Sequence, residues 1–132
     1  MASEARKVIV GPHICGPSID IKNRKILTGS WIARNAMQIW DFRKTVAEKV
    51  IPFPSNRDSG EFIYAARYCT SDIIIAGGSG SNSAQSINVK SDAVLGEIKL
   101  NNRPVHTIAS VMDGQHIAVA GGGGNLNIAC LL

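Results

Sequence analysis

Two glycine-rich loops are the stretches of this chain best suited in residue type to do chemistry. Gly77-Gly78-Ser79-Gly80-Ser81-Asn82-Ser83 and Gly121 to Gly124 present main-chain N–H groups without bulky side chains, which is one ingredient of a phosphate cradle. A cradle of known type also needs the GxxxxGK[ST] spacing, or a helix whose N-terminus favours an anion. Neither loop has either, so both read as hairpin loops on one rim of a β structure. The histidines, His13, His106 and His116, join no Ser/His/Asp or Cys/His grouping with the spacing of a catalytic triad. Glu48, Asp58, Asp72 and Asp92 fall near turns or outer strands and make no carboxylate pair for acid and base work. Cys15, Cys69 and Cys130 are 54 and 61 residues apart, without a CxxC or a nearby His pair. They read as small buried hydrophobes in a reducing compartment. The residues thus predict a protein that is not an enzyme, with no cofactor and no metal.

Charge narrows the partners. Among 132 residues, 14 Lys and Arg against 10 Asp and Glu give a net charge of +4. The basic residues Lys22, Arg24, Lys25, Arg34, Arg43 and Lys44 are scattered over strand ends and turns. They lack the interleaved aromatic side chains on which bases stack, so they read as a solvated surface with a weak attraction to acidic partners. A basic module for nucleic acid or phospholipid head groups is the alternative reading. No apolar run approaches the roughly 20 residues that span a bilayer, and Met1 to Lys7 lead into only three apolar residues, short of a signal peptide. The expected location is the cytoplasm.

The elements that position these residues recur. Ile26-Leu27-Thr28-Gly29-Ser30 followed by Met37-Gln38-Ile39-Trp40-Asp41-Phe42 has a counterpart in Ile74-Ile75-Ala76-Gly77-Gly78 followed by Gln85-Ser86-Ile87-Asn88-Val89-Lys90, and a third copy runs from Ala118 to Leu131. Leu27 maps onto Ile75 and Ile39 onto Ile87, each 48 residues on; the third copy is offset by 44 at Val119 and by 41 at Ile128. Periods of about 40 to 50 residues with several short strands per unit mark propeller blades. In the first unit the expected strands are Ser18 to Ile21 (a), Ile26 to Trp31 (b), Met37 to Phe42 (c) and Thr45 to Phe53 (d), with a turn at Lys22 to Lys25. The second gives Phe62 to Cys69, Ile73 to Gly78, Gln85 to Lys90 and Ala93 to Leu100. The third gives Val105 to Val111, a turn at Met112-Asp113-Gly114, His116 to Ala120 and Leu126 to Leu132, with no fourth strand. The b strands are almost continuously apolar, as in Ile73-Ile74-Ile75-Ala76 and Ile117-Ala118-Val119-Ala120, which suits sheets covered on both faces. Recurrent glycine and β-branched residues argue against helices. The prediction is an all-β chain: a partial propeller of about three four-stranded antiparallel blades (units 11–54, 55–100 and 101–132), the last lacking its outer strand.

Ile39-Trp40-Asp41-Phe42, Leu27-Thr28-Gly29-Ser30 and Met112-Asp113-Gly114 resemble the WD40 repeat, a family of four-stranded propeller blades that act mainly as protein-interaction scaffolds. Only the first unit carries the Trp-Asp pair; Asn88-Val89 and Ala129-Cys130 stand in the others. The resemblance implies a hydrogen-bond network in which Trp40 joins Thr28 or Ser30, with His13 as a further member. It also implies ring closure by an N-terminal strand, for which residues 5–10, with Val8, Ile9 and Val10, are the candidate. Three blades fall short of the four to eight of a closed ring, so the missing sheets are expected either from a second copy or another protein in a larger assembly, of cytoskeletal or ciliary type by family analogy, or from the rest of a longer propeller protein of which this chain is one portion. The candidate rim contacts are Arg24, Arg34, Asn35 and Asn82.

Overall fold

The computed structural model of the chain describes residues 8–44, 46–54, 60–100, 103–111 and 116–130. Among these are eleven β-strands and no helix. They run as β1 (Ile19–Lys22), β2 (Lys25–Gly29), β3 (Met37–Asp41), β4 (Ala47–Ile51), β5 (Ile63–Tyr68), β6 (Ile73–Gly78), β7 (Ser83–Asn88), β8 (Val94–Lys99), β9 (Val105–Ser110), β10 (His116–Gly121) and β11 (Leu126–Cys130). Three antiparallel sheets result, ordered β1-β2-β3-β4, β5-β6-β7-β8 and β9-β10-β11, and they do not close into a ring. This is the predicted partial propeller. Thr45, Asp58, the Met112-Asp113-Gly114 turn, Leu131-Leu132 and Ala5 to Lys7 of the expected closure segment lie outside the described residues.

Local chemistry sets the turns. The expected four-residue turn after β1 is tighter, because Lys22 pairs with Lys25 and leaves only Asn23 and Arg24 at the bend, both at positive φ (51° and 65°). Two such residues match the right-handed twist of the flanking strands. After β3 the carboxylate of Asp41 accepts the N–H of Arg43 at 2.8 Å, and after β7 the Asn88 side chain accepts the N–H of Lys90 at 2.9 Å. Asp and Asn favour turns for this reason.

The pairing corrects the repeat alignment by one residue. Leu27 faces Ile39, whereas Ile75 faces Ser86 and Ile74 faces Ile87. Trp40, not Ile39, is therefore the counterpart of Ile87, and Asp41 that of Asn88, as their matching turn bonds require. The third copy shifts too: Val119 packs toward the second sheet in the same core as Ile75, so the counterpart of Ile75 is Ala118, which faces the opposite way. A one-residue slip moves a side chain to the other face of a sheet.

Two apolar cores separate the three sheets. Leu27, Met37, Ile39 and Ile51 of the first sheet meet Ile63, Ala66, Ile74 and Ile87 of the second. Ile75 and Ala84 on the far face of the second meet Val105, Ile108, Ile117 and Val119 of the third. Each fully buried Ile or Leu stabilises the stack by roughly 1.5–3 kcal/mol relative to exposure. The innermost strands β1, β5 and β9 are stitched together: Asp20 accepts the N–H of Tyr68 at 2.8 Å, and the Ser110 hydroxyl donates to the Tyr68 carbonyl at 2.8 Å. Glycine is required where the sheets crowd. A Cβ on Gly78 would stand 1.9 Å from the Phe62 carbonyl oxygen, and one on Gly121 would stand 2.1 Å from that of Pro104.

Candidate interaction surfaces

Trp40 lies on the face of the first sheet turned away from the second. Its indole N–H donates to the Thr28 hydroxyl at 2.9 Å, a fully buried bond. The ring is covered by residues 8–14, which cross this face as irregular chain, and the ring edge lies 3.5 Å from where a Cβ on Gly11 would stand. Gly11 holds a φ of 144°, open to glycine and strained for other residues. Ser30 joins from the side: its buried hydroxyl accepts the main-chain N–H of His13 at 3.2 Å, while the His13 carbonyl accepts the N–H of Trp31 at 2.8 Å. His13 thus enters through its backbone. Val8, Ile9 and Val10 form no strand here; Val8 and Val10 are exposed, and Ile9 leans over the Trp40 groove.

The four rim residues divide between two ends of the sheets. Arg34 and Asn35 lie in the β2–β3 loop and Asn82 in the β6–β7 loop, which share a rim with the entry to β5, since Ala33 and Ile32 accept the N–H groups of Glu61 and Phe62. Arg24, in the β1–β2 turn, sits at the opposite rim. Asn35 and Asn82 both adopt positive φ (55° and 52°). Along the inner strands runs a set of aromatic side chains that no sequence motif marks. Trp31 packs on Phe62 and Tyr64 at centroid distances of 5.2 and 5.5 Å, and Tyr64 packs on His106 at 5.3 Å.

Electrostatics organise the far rim. Asp41 is buried and accepts from Arg43 (Nε 3.0 Å, and a terminal guanidinium N–H 2.9 Å) and from Lys25 (3.2 Å). The Arg43 hydrogen bonds hold its carboxyl well below the usual carboxylate range. Lys25 also binds Glu48, whose carboxyl is lowered by that bond, and the Lys25 ammonium is raised in turn. Burial pushes the Tyr68 phenol up to about 12, with Asp20 and Glu48 adding to it, and its hydroxyl has no hydrogen-bond partner among the described residues. Cys69 is the buried thiol, pushed up to about 11 by burial. Cys15 and Cys130 are exposed, which corrects the expectation that all three cysteines are buried: Cys15 follows the crossing segment directly and Cys130 ends the edge strand β11. Among the described residues no three His, Cys, Asp or Glu side chains gather as a metal site.

The two outer faces of the stack are apolar, the first covered in part by residues 8–14 and the third open. On the first sheet, register places Ile19, Ile21, Ile26, Thr28, Gln38, Trp40 and Val50 on one face. Ile19 and Ile21 are 53% and 57% exposed, and a groove of about 260 Å³ runs beside Trp40 under Ile9, Pro12 and Ile14. On the third sheet, Ala109, Ala118, Ala120, Leu126, Ile128 and Cys130 share the outer face, with Leu126 66% and Ile128 72% exposed.

No protein-family model matches the sequence, and no curated protein does. Solved structures do match. The chain superposes on the β-propeller domain of Cps50 (Swd1) from Myceliophteria thermophila with a TM-score of 0.71 at 11% identity, over 95% of this chain and 38% of that one. It superposes on the C-terminal WD40 domain of Sif2 with a TM-score of 0.70 at 20% identity, over 91% and 32%. The computationally designed Ika4 protein matches with a TM-score of 0.66 at 9% identity, over 86% and 64%. The chain spans about a third of the length of the two natural propeller domains. Its fold is that of a WD40-type β-propeller segment of three consecutive blades.

Proposed function

We propose that this protein is a non-catalytic protein-interaction scaffold whose outer blade faces are completed by further blades, supplied head to tail by a second copy or by another protein of a larger assembly. One observation carries the reading. By the pairing registers, Leu126 and Ile128 are the counterparts of Met37 and Ile39 in the first sheet. Met37 and Ile39 are buried against the next blade, while Leu126 and Ile128 face solvent. The third sheet carries the same apolar knobs as the first without a covering blade, and such faces mark sites of association. The opposite face, with Ile19, Ile21 and the Trp40 groove, is its complement, because β5 and β9 use the equivalent side to receive the preceding blade. The contact would be heterologous, and Val8 to Val10 are the segment for exchange onto the open edge of β11. A cytoplasmic place, within a cytoskeletal or ciliary structure, accords with such a role.

Light scattering on the purified chain tests the reading. The expected result is a particle of twice the chain's mass that reverts to a folded monomer in the Leu126→Asp/Ile128→Asp variant, both side chains being exposed in the single chain. A wild-type chain that stays monomeric at high concentration and captures no propeller partner would refute it.

A further inference from the structure

The rim that carries Arg34 and Asn82 also holds a small polar cavity of about 170 Å³ between the second and third blades, lined by Lys99, Arg103, Gly121, Gly123, Asn125 and Asn127, with Leu100 at its wall. It forms where the end of β8, the entry to β9 and the glycine turn after β10 converge. Among the described residues no carboxylate lines it, and Lys99 and Arg103, like Lys22, Arg24 and Arg34, have no ion pair there, whereas Lys25, Arg43, Lys44, Lys49, Arg67 and Lys90 all do. Two unneutralised cations on one cavity repel each other, and an anion between them relieves the repulsion. The asparagine amides add neutral donors. Gly123 keeps the space open, since a Cβ there would stand 3.2 Å from the Arg103 Cγ.

We propose that this cavity binds a phosphate group carried on a serine or threonine of a partner protein, Arg103 and Lys99 supplying charge-assisted hydrogen bonds and Asn125 and Asn127 orienting the oxygens. The proposal rests on the scaffold reading above and names the chemistry of one partner segment. Size argues against a whole nucleotide or similar ligand, because pockets for such molecules run to roughly 300–1,000 Å³; here one phosphate and its linking atoms enter and the rest of the ligand stays outside. Charge argues against a membrane, whose recognition uses clusters of about 4–8 Lys and Arg on a surface, whereas this site has two in a concavity.

The test is amide chemical-shift mapping on the full ¹⁵N-labelled chain, titrated with a short phosphoserine peptide, its unphosphorylated twin, inorganic phosphate and anionic phospholipid vesicles. The expected result is saturable shifts at Gly121, Gly123, Asn125 and Asn127 with the phosphopeptide, about tenfold weaker with the twin or with inorganic phosphate. Lys99→Ala/Arg103→Ala should weaken phosphopeptide binding about tenfold, while Lys44→Ala/Lys90→Ala, which removes equal charge from the opposite rim, should leave it unchanged. Both variants change exposed side chains, and their spectra report whether each is folded. Equal binding of the twin, equal loss in the two variants, inorganic phosphate binding as tightly as the peptide, or response to vesicles alone would each overturn the proposal. Light scattering on the same samples separates the two readings: association without a phosphopeptide response sinks only the site, and a localised response in a strict monomer sinks only completion by a second copy.

Discussion

A buried indole has one polar atom to satisfy, and in Trp40 it is satisfied by a hydroxyl on the neighbouring strand. Thr28→Val keeps the shape and removes the acceptor, so it should destabilise the fold by about 1–3 kcal/mol, the cost of a buried donor left unpaired; urea denaturation reads it. The pH dependence follows from the titrating side chains. Asp41 is held below its ordinary range by Arg43 and Lys25, so the folded chain binds that proton more weakly than the unfolded one. Its stabilisation is complete above the unfolded carboxylate value of about 4 and is lost as pH falls through the lower folded value. Cys69 works in the opposite sense. With its thiol pushed to about 11 against about 8.5 unfolded, it favours folding fully below about pH 8.5 and loses that contribution as pH rises toward 11. Melting temperatures across the acid and alkaline ranges should therefore fall on both sides, and Asp41→Asn should flatten the acid limb.

Turns and crowded strand ends give the second scale its sharpest expectations. Arg24 sits at positive φ beside Asn23, so Arg24→Gly should stabilise the β1–β2 hairpin by up to about 1 kcal/mol, by relieving the strain of a left-handed residue with a side chain. Gly78→Ala forces a methyl onto the Phe62 carbonyl and should cost more than about 2 kcal/mol; thermal unfolding distinguishes the two signs. Strand positions were legible because the continuous apolar b strands ending in glycine recur three times. Register across the loops was not: Ile39 and Ile87 look alike in sequence, and only the pairing reveals that the loop lengths differ by one. Trp40, Thr28, Ser30 and His13 could be grouped from the motif, but not that His13 acts through its main chain. The aromatic run and the Lys99–Arg103 cavity stayed hidden because their members come from different units, as with Trp31 and Phe62 or Lys99 and Asn125, and meet only when blades stack.

At the scale of the whole molecule the sheets have a direction. Each turns one face to its successor and receives its predecessor on the other, so the exposed ends differ, and any self-association through them either closes as a ring or grows as a helix. Thiol chemistry follows it: in the free chain Cys15 and Cys130 should react rapidly with a thiol reagent and Cys69 only on unfolding, and Cys130, on the outer face of the third sheet, should lose its reactivity once that face is covered. The aromatic run supplies an optical gauge of the same stack. Tyr64 absorbs light 5.5 Å edge-on from Trp31, close enough for excitation to pass to the indole before the phenol can emit. Tyrosine emission excited in the ultraviolet should therefore be quenched while the first two blades are pressed together and brighten when they part, reporting blade separation in a chain that carries no added dye.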